Sequence, residues 1–438
     1  MLKESHISQG QQYKRWWLPL LTLRLLPLAT GTGLVNAVYF ANWWVLKGRS
    51  GIRGSPLHRG IYLRNFQPND LPVSNLTHVY YAFMNYGTDG TLFSWDAYAD
   101  TEKHYPEDSW NDQGTNVYGC VKQLFQIKKQ NRHIKLMLSI GGWTLSDNLP
   151  QVASSVSARK NFAQSAVSFM QNWGFDGIDL DWEYPKDQTD GINLTYLLQE
   201  LRKELDSYAA QHASGHHFLL TMAASANPDV IKLLDIKGIN GAVDYINLMA
   251  YDYAGAWDSY TGYLANIGSS SAQPTATHFA TETALNLYLN RGATASKIVL
   301  GMPAYGRSFQ QTDGIGKPFK GTGPGSWEDG VWDYKALPRT SDARVSCDES
   351  VYGCYSYDPN TKELITYDTH EMVALKVAWL RNKGLAGSMF WEASGDRKDG
   401  RSLIAASRSA LGGLDDTCNF LSYPASKYDN IKPGQPVT

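Results

Sequence analysis

Cysteine is scarce in these 438 residues, with four in all, at positions 120, 347, 354 and 418. So few, so scattered, exclude a disulfide-built scaffold and a thiolate zinc site. Cys347 and Cys354 nevertheless bracket a short loop and can pair in an oxidising compartment. Long apolar runs are also lacking. The strongest terminal stretch, residues 16–30 (WWLPLLTLRLLPLAT), is short for a bilayer span and is broken by Pro19, Arg24 and Pro27. Preceded by Lys14 and Arg15, it has the basic-then-apolar order of an export signal, with Arg24 as its irregularity. No charge of one sign dominates: 40 Lys and Arg face 42 Asp and Glu, a net charge of −2. That balance excludes a globally basic nucleic-acid binder. It is uneven along the chain, since residues 1–59 hold eight basic residues and one acid, Glu4, leaving +7 there and −9 in the remainder. Low-complexity sequence is absent and 43% of residues are hydrophobic, so the bulk of the chain folds around a core.

Aromatic side chains, by contrast, are plentiful: 14 Trp, 26 Tyr and 14 Phe. Most belong in a core, and the remainder are available to stack on flat apolar surfaces such as the faces of sugars. Eight short runs rich in Val, Ile, Leu, Met and Tyr recur along the chain: AVYFANW (37–43), HVYYAFM (78–84), IKLMLSI (134–140), GFDGIDLDWE (174–183), HFLLTMAA (217–224), DYINLMAY (244–251), KIVLGMPAYG (297–306) and AGSMFWE (386–392). Between several of them lie helix-period patterns, including residues 161–174 and 194–210. Strand and helix alternating eight times predicts an α/β fold, a (β/α)8 TIM barrel whose chemistry sits at the carboxyl ends of its strands. No Gly-rich dinucleotide loop follows the first run, which weighs against a doubly wound sheet. Residues 309–368 break the rhythm with Gly and Pro clusters and short alternating strands, and predict a small α+β domain inserted between strand 7 and helix 7. The expected organisation is a leader (1–35), barrel (36–308), insert (309–368), barrel (369–412) and tail (413–438).

The segment Asp176-Gly177-Ile178-Asp179-Leu180-Asp181-Trp182-Glu183 carries the chemistry. Alternation along a strand puts Asp179, Asp181 and Glu183 on one face and Ile178, Leu180 and Trp182 on the other. Like charges and burial both raise carboxyl pKa values, so at least one acid holds a proton near neutral pH. Glu183, nearest the active end, is the natural proton donor, and Asp181 can share a proton with Asp179 and turn toward Glu183 or the substrate. A metal site for phosphoryl chemistry is disfavoured, because no phosphate loop is present and the other active-end residues are aromatic.

FDGIDLDWEYP resembles the DxxDxDxE signature of glycoside hydrolase family 18, and LSIGGW (138–143) resembles that family's SxGG motif. NLMAYDY (247–253), GMPAYGRSF (301–309) and SMFWE (388–392) match further segments in order. The similarity runs from about Asn36 nearly to the end of the chain and is greatest to the secreted chitinases of fungi. It implies a chitinase without metal or cofactor, acting as an extracellular monomer on chitin or chito-oligosaccharides, with no nucleic-acid partner and no stable membrane association. Hydrolysis in the family is substrate-assisted. By resemblance, Glu183 is the acid/base, Asp181 holds the acetamido N–H, Asp179 backs Asp181, and Tyr251 orients the acetamido oxygen. Asp252 and Met249 stand beside Tyr251, and Trp391 floors the sugar. Tyr39, Trp143, Trp257 and Arg307 are further groove candidates, with Trp327 of the insert as a possible wall. The intact Glu183 argues against a lectin that has lost activity. An endo-β-N-acetylglucosaminidase acting on N-glycans is the nearer alternative. Asn75 and Asn193 head NLT glycosylation tripeptides, in keeping with export. Relative to the family pattern, residues 44–59 (WVLKGRSGIRGSPLHR) are extra: a basic loop without periodicity, read as translated intron sequence or as a lid over the groove.

Overall fold

The computed structural model describes residues 33–42 and 64–433; most of the expected leader and the extra loop at 44–59 lie outside the described residues. Eight parallel strands close into a barrel: β1 (Val35–Ala41), β2 (His78–Tyr86), β3 (Lys135–Gly141), β4 (Gly177–Asp181), β5 (Leu219–Ser225), β6 (Tyr245–Met249), β7 (Ile298–Pro303) and β8 (Gly387–Trp391). Each pairs with the next in sequence, and β8 returns to β1 through Val35 opposite Gly387. The expected TIM barrel is therefore observed.

Strand alternation sorts the residues into two layers. Ile178, Leu180 and Trp182 point outward into the large core shared with the surrounding helices. Tyr39, Tyr80, Phe83, Met137 and Met389 fill the barrel interior. The helices between strands carry their own termination signals. Val156–Trp173 begins where the Ser155 hydroxyl accepts the Ala158 N–H and ends at Gly174, whose φ of 71° is the left-handed conformation that glycine tolerates best. Gln188–His212, which follows the acidic strand, is capped by the Asp187 carboxylate on the Asp190 N–H.

Between β7 and the helix His370–Asn382 lies a five-stranded antiparallel sheet. Its spatial order is Val331–Asp333, Tyr305–Phe309, Glu363–Thr366, Gly353–Asp358, Arg344–Asp348. The sheet opens at Tyr305, four residues ahead of the 309 boundary, because the chain runs from β7 through Ala304 straight into the second sheet. Cys347 and Cys354 face each other across its outer hairpin and are disulfide-bonded. A buried ion pair fastens this sheet to the barrel: Lys376 Nζ reaches both Asp368 carboxylate oxygens at 2.7 Å and also donates to the Ala265 carbonyl. Lys376→Met would strand the Asp368 charge in the interior, a loss expected to reach about 3–5 kcal/mol. Urea unfolding of Lys376→Met and of the double variant with Asp368→Leu checks this: the single change should lower stability, and the double should recover most of it.

The tail after Gly413 closes the amino-terminal end of the barrel. Leu34 and Leu414 form a parallel bridge, Lys135 Nζ pairs with Asp415 at 2.9 Å, and Asn419 Nδ2 donates to the Lys128 and Ile134 carbonyls. Asp176, the first acid of the signature, belongs to this end. One of its oxygens accepts the Leu136 N–H, and the other accepts the Phe420 N–H and the ammonium of the fully buried Lys128. Its work is anchoring, far from the active end.

Candidate active site

At the carboxyl ends of the strands lies a groove of about 570 Å³. Ten of the residues expected from sequence line it: Tyr39, Trp143, Asp181, Glu183, Met249, Tyr251, Asp252, Trp257, Arg307 and Trp391. Asp179 lies beneath, fully buried. Four side chains from four strands donate to its carboxylate: Tyr39 OH (2.9 Å) and Ser139 Oγ (2.7 Å) to Oδ2, and Thr221 Oγ1 (2.6 Å) and Asn247 Nδ2 (3.3 Å) to Oδ1. Burial raises the Asp179 pKa, and these bonds work against the rise.

Asp181 stands between Asp179 and Glu183. Its Oδ1 is buried with no hydrogen-bond partner among the described residues. Burial lifts its pKa well above the usual carboxylate range, and the charges of Glu183 and Asp179 lift it further. Glu183, half-buried at the groove, is pushed up to about 7, chiefly by burial and then by the Asp252 charge. The Tyr184 hydroxyl and Trp143 backbone N–H, which face its carboxyl, pull the other way. A carboxyl so placed is protonated at mildly acidic pH and able to give that proton up. Tyr251 remains a phenol, since burial and the surrounding carboxylates of Asp181, Glu183 and Asp252 raise its pKa far above 10.

The floor and one wall are aromatic. Trp391 stacks on Phe83 with ring centroids 5.7 Å apart and packs against Tyr39 at 5.3 Å. Across the groove, Asp252 adopts a φ of 60° and accepts Arg307 Nε and Nη2 at 2.7 and 2.8 Å together with the Tyr305 hydroxyl at 2.6 Å. The left-handed conformation is one that Asp visits more readily than most residues. The Arg307 guanidinium lies over the ring of Trp257 at 4.8 Å, so the inserted sheet supplies a charged brace beneath an aromatic platform. Trp257 and Trp143 are 59% and 62% exposed, which leaves their rings free to receive a ligand. Trp327 is not among the lining residues; its indole N–H donates to Asp333 Oδ2 and its ring carries Arg64 at 5.1 Å.

Several lining residues escaped the sequence reading. Tyr305 sits within GMPAYGRSF, Glu392 ends SMFWE and Tyr184 follows Glu183, so each lay inside a quoted motif. Arg64 and Asp333 had no such signal. Arg64 Nη1 joins Asp333 (3.1 Å), Glu392 (2.9 Å) and Ser394 (2.7 Å), a junction of three separate segments that only the fold assembles.

A family model described as Glycosyl hydrolases family 18 matches residues 35–396. Chitinase 1 of Aphanocladium album is 60% identical over 92% of this chain and 92% of its own length. Endochitinase 1 of Metarhizium robertsii is 54% identical over 91% of this chain and 90% of its own. Among solved structures, catalytic domain 2 of an Ostrinia furnacalis group II chitinase, a mutant in complex with (NAG)5, matches with a TM-score of 0.71 at 26% identity, covering 87% of this chain and 97% of that one.

Proposed function

The chain belongs to glycosyl hydrolases family 18, and from its 60% and 54% identity to a fungal chitinase and a fungal endochitinase we infer that it is an endo-acting chitinase, cleaving β-1,4 bonds between N-acetylglucosamine units. The observation that carries this reading is the convergence of Glu183, Asp181 and Tyr251 on one aromatic-floored groove. Glu183 protonates the glycosidic oxygen. The acetamido oxygen of the sugar lying over Trp391 attacks the anomeric carbon, the glycosidic bond breaks, and an oxazolinium ion forms. Water then attacks the anomeric carbon as Glu183 takes up its proton, the bond from that carbon to the acetamido oxygen breaks to restore the acetamide, and the carboxyl returns to its starting state with the sugar's configuration retained. This is the substrate-assisted exception to the usual carboxylate pair.

Asp181 accepts the acetamido N–H and offsets the positive charge of the ring, with Asp179 behind it as the proton-sharing partner. The buried, unpartnered Asp181 Oδ1 supports that role. Tyr251 donates to the acetamido oxygen. Trp143 and Trp257 stack on flanking sugars, each contact contributing about 1 kcal/mol. Chito-oligosaccharides are accordingly the ligand class, and the disulfide Cys347–Cys354 supports action outside the cell, with Asn75 and Asn193 as glycan acceptors.

Product analysis tests the substrate. Chitin oligomers should be shortened with the β-anomer formed first, and a high-mannose glycoprotein should be left intact; release of the N-glycan instead would favour the N-glycan-cleaving activity. The acidity of Glu183 also sets a pH limit. General acid catalysis needs the protonated carboxyl, which is present below its pKa of about 7 and lost as pH rises through it. kcat/KM, which reports the free enzyme, should therefore fall roughly tenfold per pH unit on the alkaline side. A profile flat to pH 9 would contradict the assignment.

A further inference from the structure

The turn after β3 reaches across the open end of β4 and meets the backbone of Glu183. β4 is paired on both sides as far as Asp181, opposite Gly141 on β3 and Ala223 on β5. Beyond that residue the ladder stops, and the peptide N–H of Glu183 needs an acceptor from elsewhere. Ser146 provides it. Its Oγ accepts the Glu183 N–H at 2.9 Å and donates to the Gly142 carbonyl at 3.0 Å, while the Gly142 N–H closes onto the Asp181 carbonyl at 2.8 Å. Ser146 is buried and is not among the groove-lining residues. The turn is held from its far side by the Tyr86 hydroxyl, which donates to the Leu145 carbonyl. The same turn bears Trp143, whose indole packs edge-on against Tyr184 with centroids 6.4 Å apart. Gly142 is there by necessity: its φ is 86°, and a Cβ would meet the Phe83 ring at 2.5 Å.

We propose that Ser146 is a positioning residue for Glu183: its hydroxyl fixes the peptide group from which that side chain springs, and so holds the carboxyl at proton-transfer distance from the scissile oxygen. The role rests on the reading of Glu183 as the general acid. Without the hydroxyl, a part-buried N–H loses its partner and the segment shifts to find another. Misplacement of a reacting group by about 1 Å can cost roughly 100-fold in rate.

The test uses the full chain and an aryl chito-oligosaccharide. Ser146→Cys keeps the branching of the side chain and replaces the oxygen with a larger, weakly accepting sulfur, Ser146→Ala removes the group, Ser146→Thr restores a hydroxyl, and Glu183→Gln is measured beside them. The expected result is a kcat about 10- to 100-fold lower in the Cys and Ala variants, KM within about twofold of the parent, an unchanged melting midpoint in the Cys variant, and recovery in the Thr variant. If Ser146→Ala does not fold, the Cys and Thr pair still decides. Parental kcat in folded Ser146→Cys, or a loss in which KM and melting midpoint move along with kcat, would overturn the proposal. An inactive Glu183→Gln beside a fully active Ser146→Cys rejects the positioning role alone, whereas an active Glu183→Gln overturns both.

Discussion

Glu183→Gln should lower hydrolysis of chito-oligosaccharides by at least about 10³-fold while leaving their binding within a few-fold of the parent. The amide keeps the size of the side chain and fills the same half-buried place between Trp143 and Tyr184. It carries no proton that can be transferred to a departing oxygen, and it cannot act as base toward water in the second step. General acid–base catalysis by one group commonly contributes 10²–10⁴-fold, and this residue is asked to serve twice. Three tryptophans, Trp143, Trp257 and Trp391, line the groove, so binding can be followed by intrinsic fluorescence on the same samples used for kinetics. Retention of more than a few per cent of kcat would remove Glu183 from the mechanism.

Asp181→Asn separates charge stabilisation from proton transfer. In the free protein this carboxyl has its pKa raised by burial and by Glu183 and Asp179, so neutralising it costs the resting state little. In the proposed mechanism the oxazolinium ion is different, because positive charge would then develop beside Asp181 and draw on its negative form. Loss of one preorganised electrostatic partner typically costs about 10²–10³-fold in kcat. A cationic mimic of the oxazoline should lose affinity by a comparable factor if, as proposed, the residue serves the intermediate-like state. Inhibition constants for such a mimic against the parent, Asp181→Asn and Glu183→Gln check the division of labour. Undiminished affinity in Asp181→Asn would show that its charge does not act on the intermediate.

What the sequence could reveal depended on how far apart the cooperating residues lie. Asp179, Asp181 and Glu183 are two residues apart, and strand alternation alone assigns them to one face. The eight-strand rhythm was legible for a similar reason, since each run is a local pattern. The cradle of Asp179 was not, because Tyr39, Ser139, Thr221 and Asn247 come from four strands whose only common property is the barrel register. Arg64, Asp333 and Glu392 converge from a loop, the inserted sheet and the end of β8, and no spacing rule connects them. Asp176 illustrates the reverse difficulty. It belongs to the same acidic run as Glu183, yet it lies one barrel length away and holds the tail. The boundary at 309 fell late because Tyr305–Phe309 reads as a continuation of β7, with only Ala304 between the two strands.

The outer hairpin of the inserted sheet has a bearing on how the protein can be handled. Arg344–Asp348 is the last strand of its sheet and is almost entirely exposed, Val345 included at 47%. Strands in that position offer a free row of peptide groups to any other extended chain. Here the Cys347–Cys354 bond pins the hairpin to its neighbour and keeps it from peeling away to recruit one. Protein made in a reducing cytosol would carry a loosened edge prone to strand exchange between copies, and oxidising production removes that hazard without touching the groove.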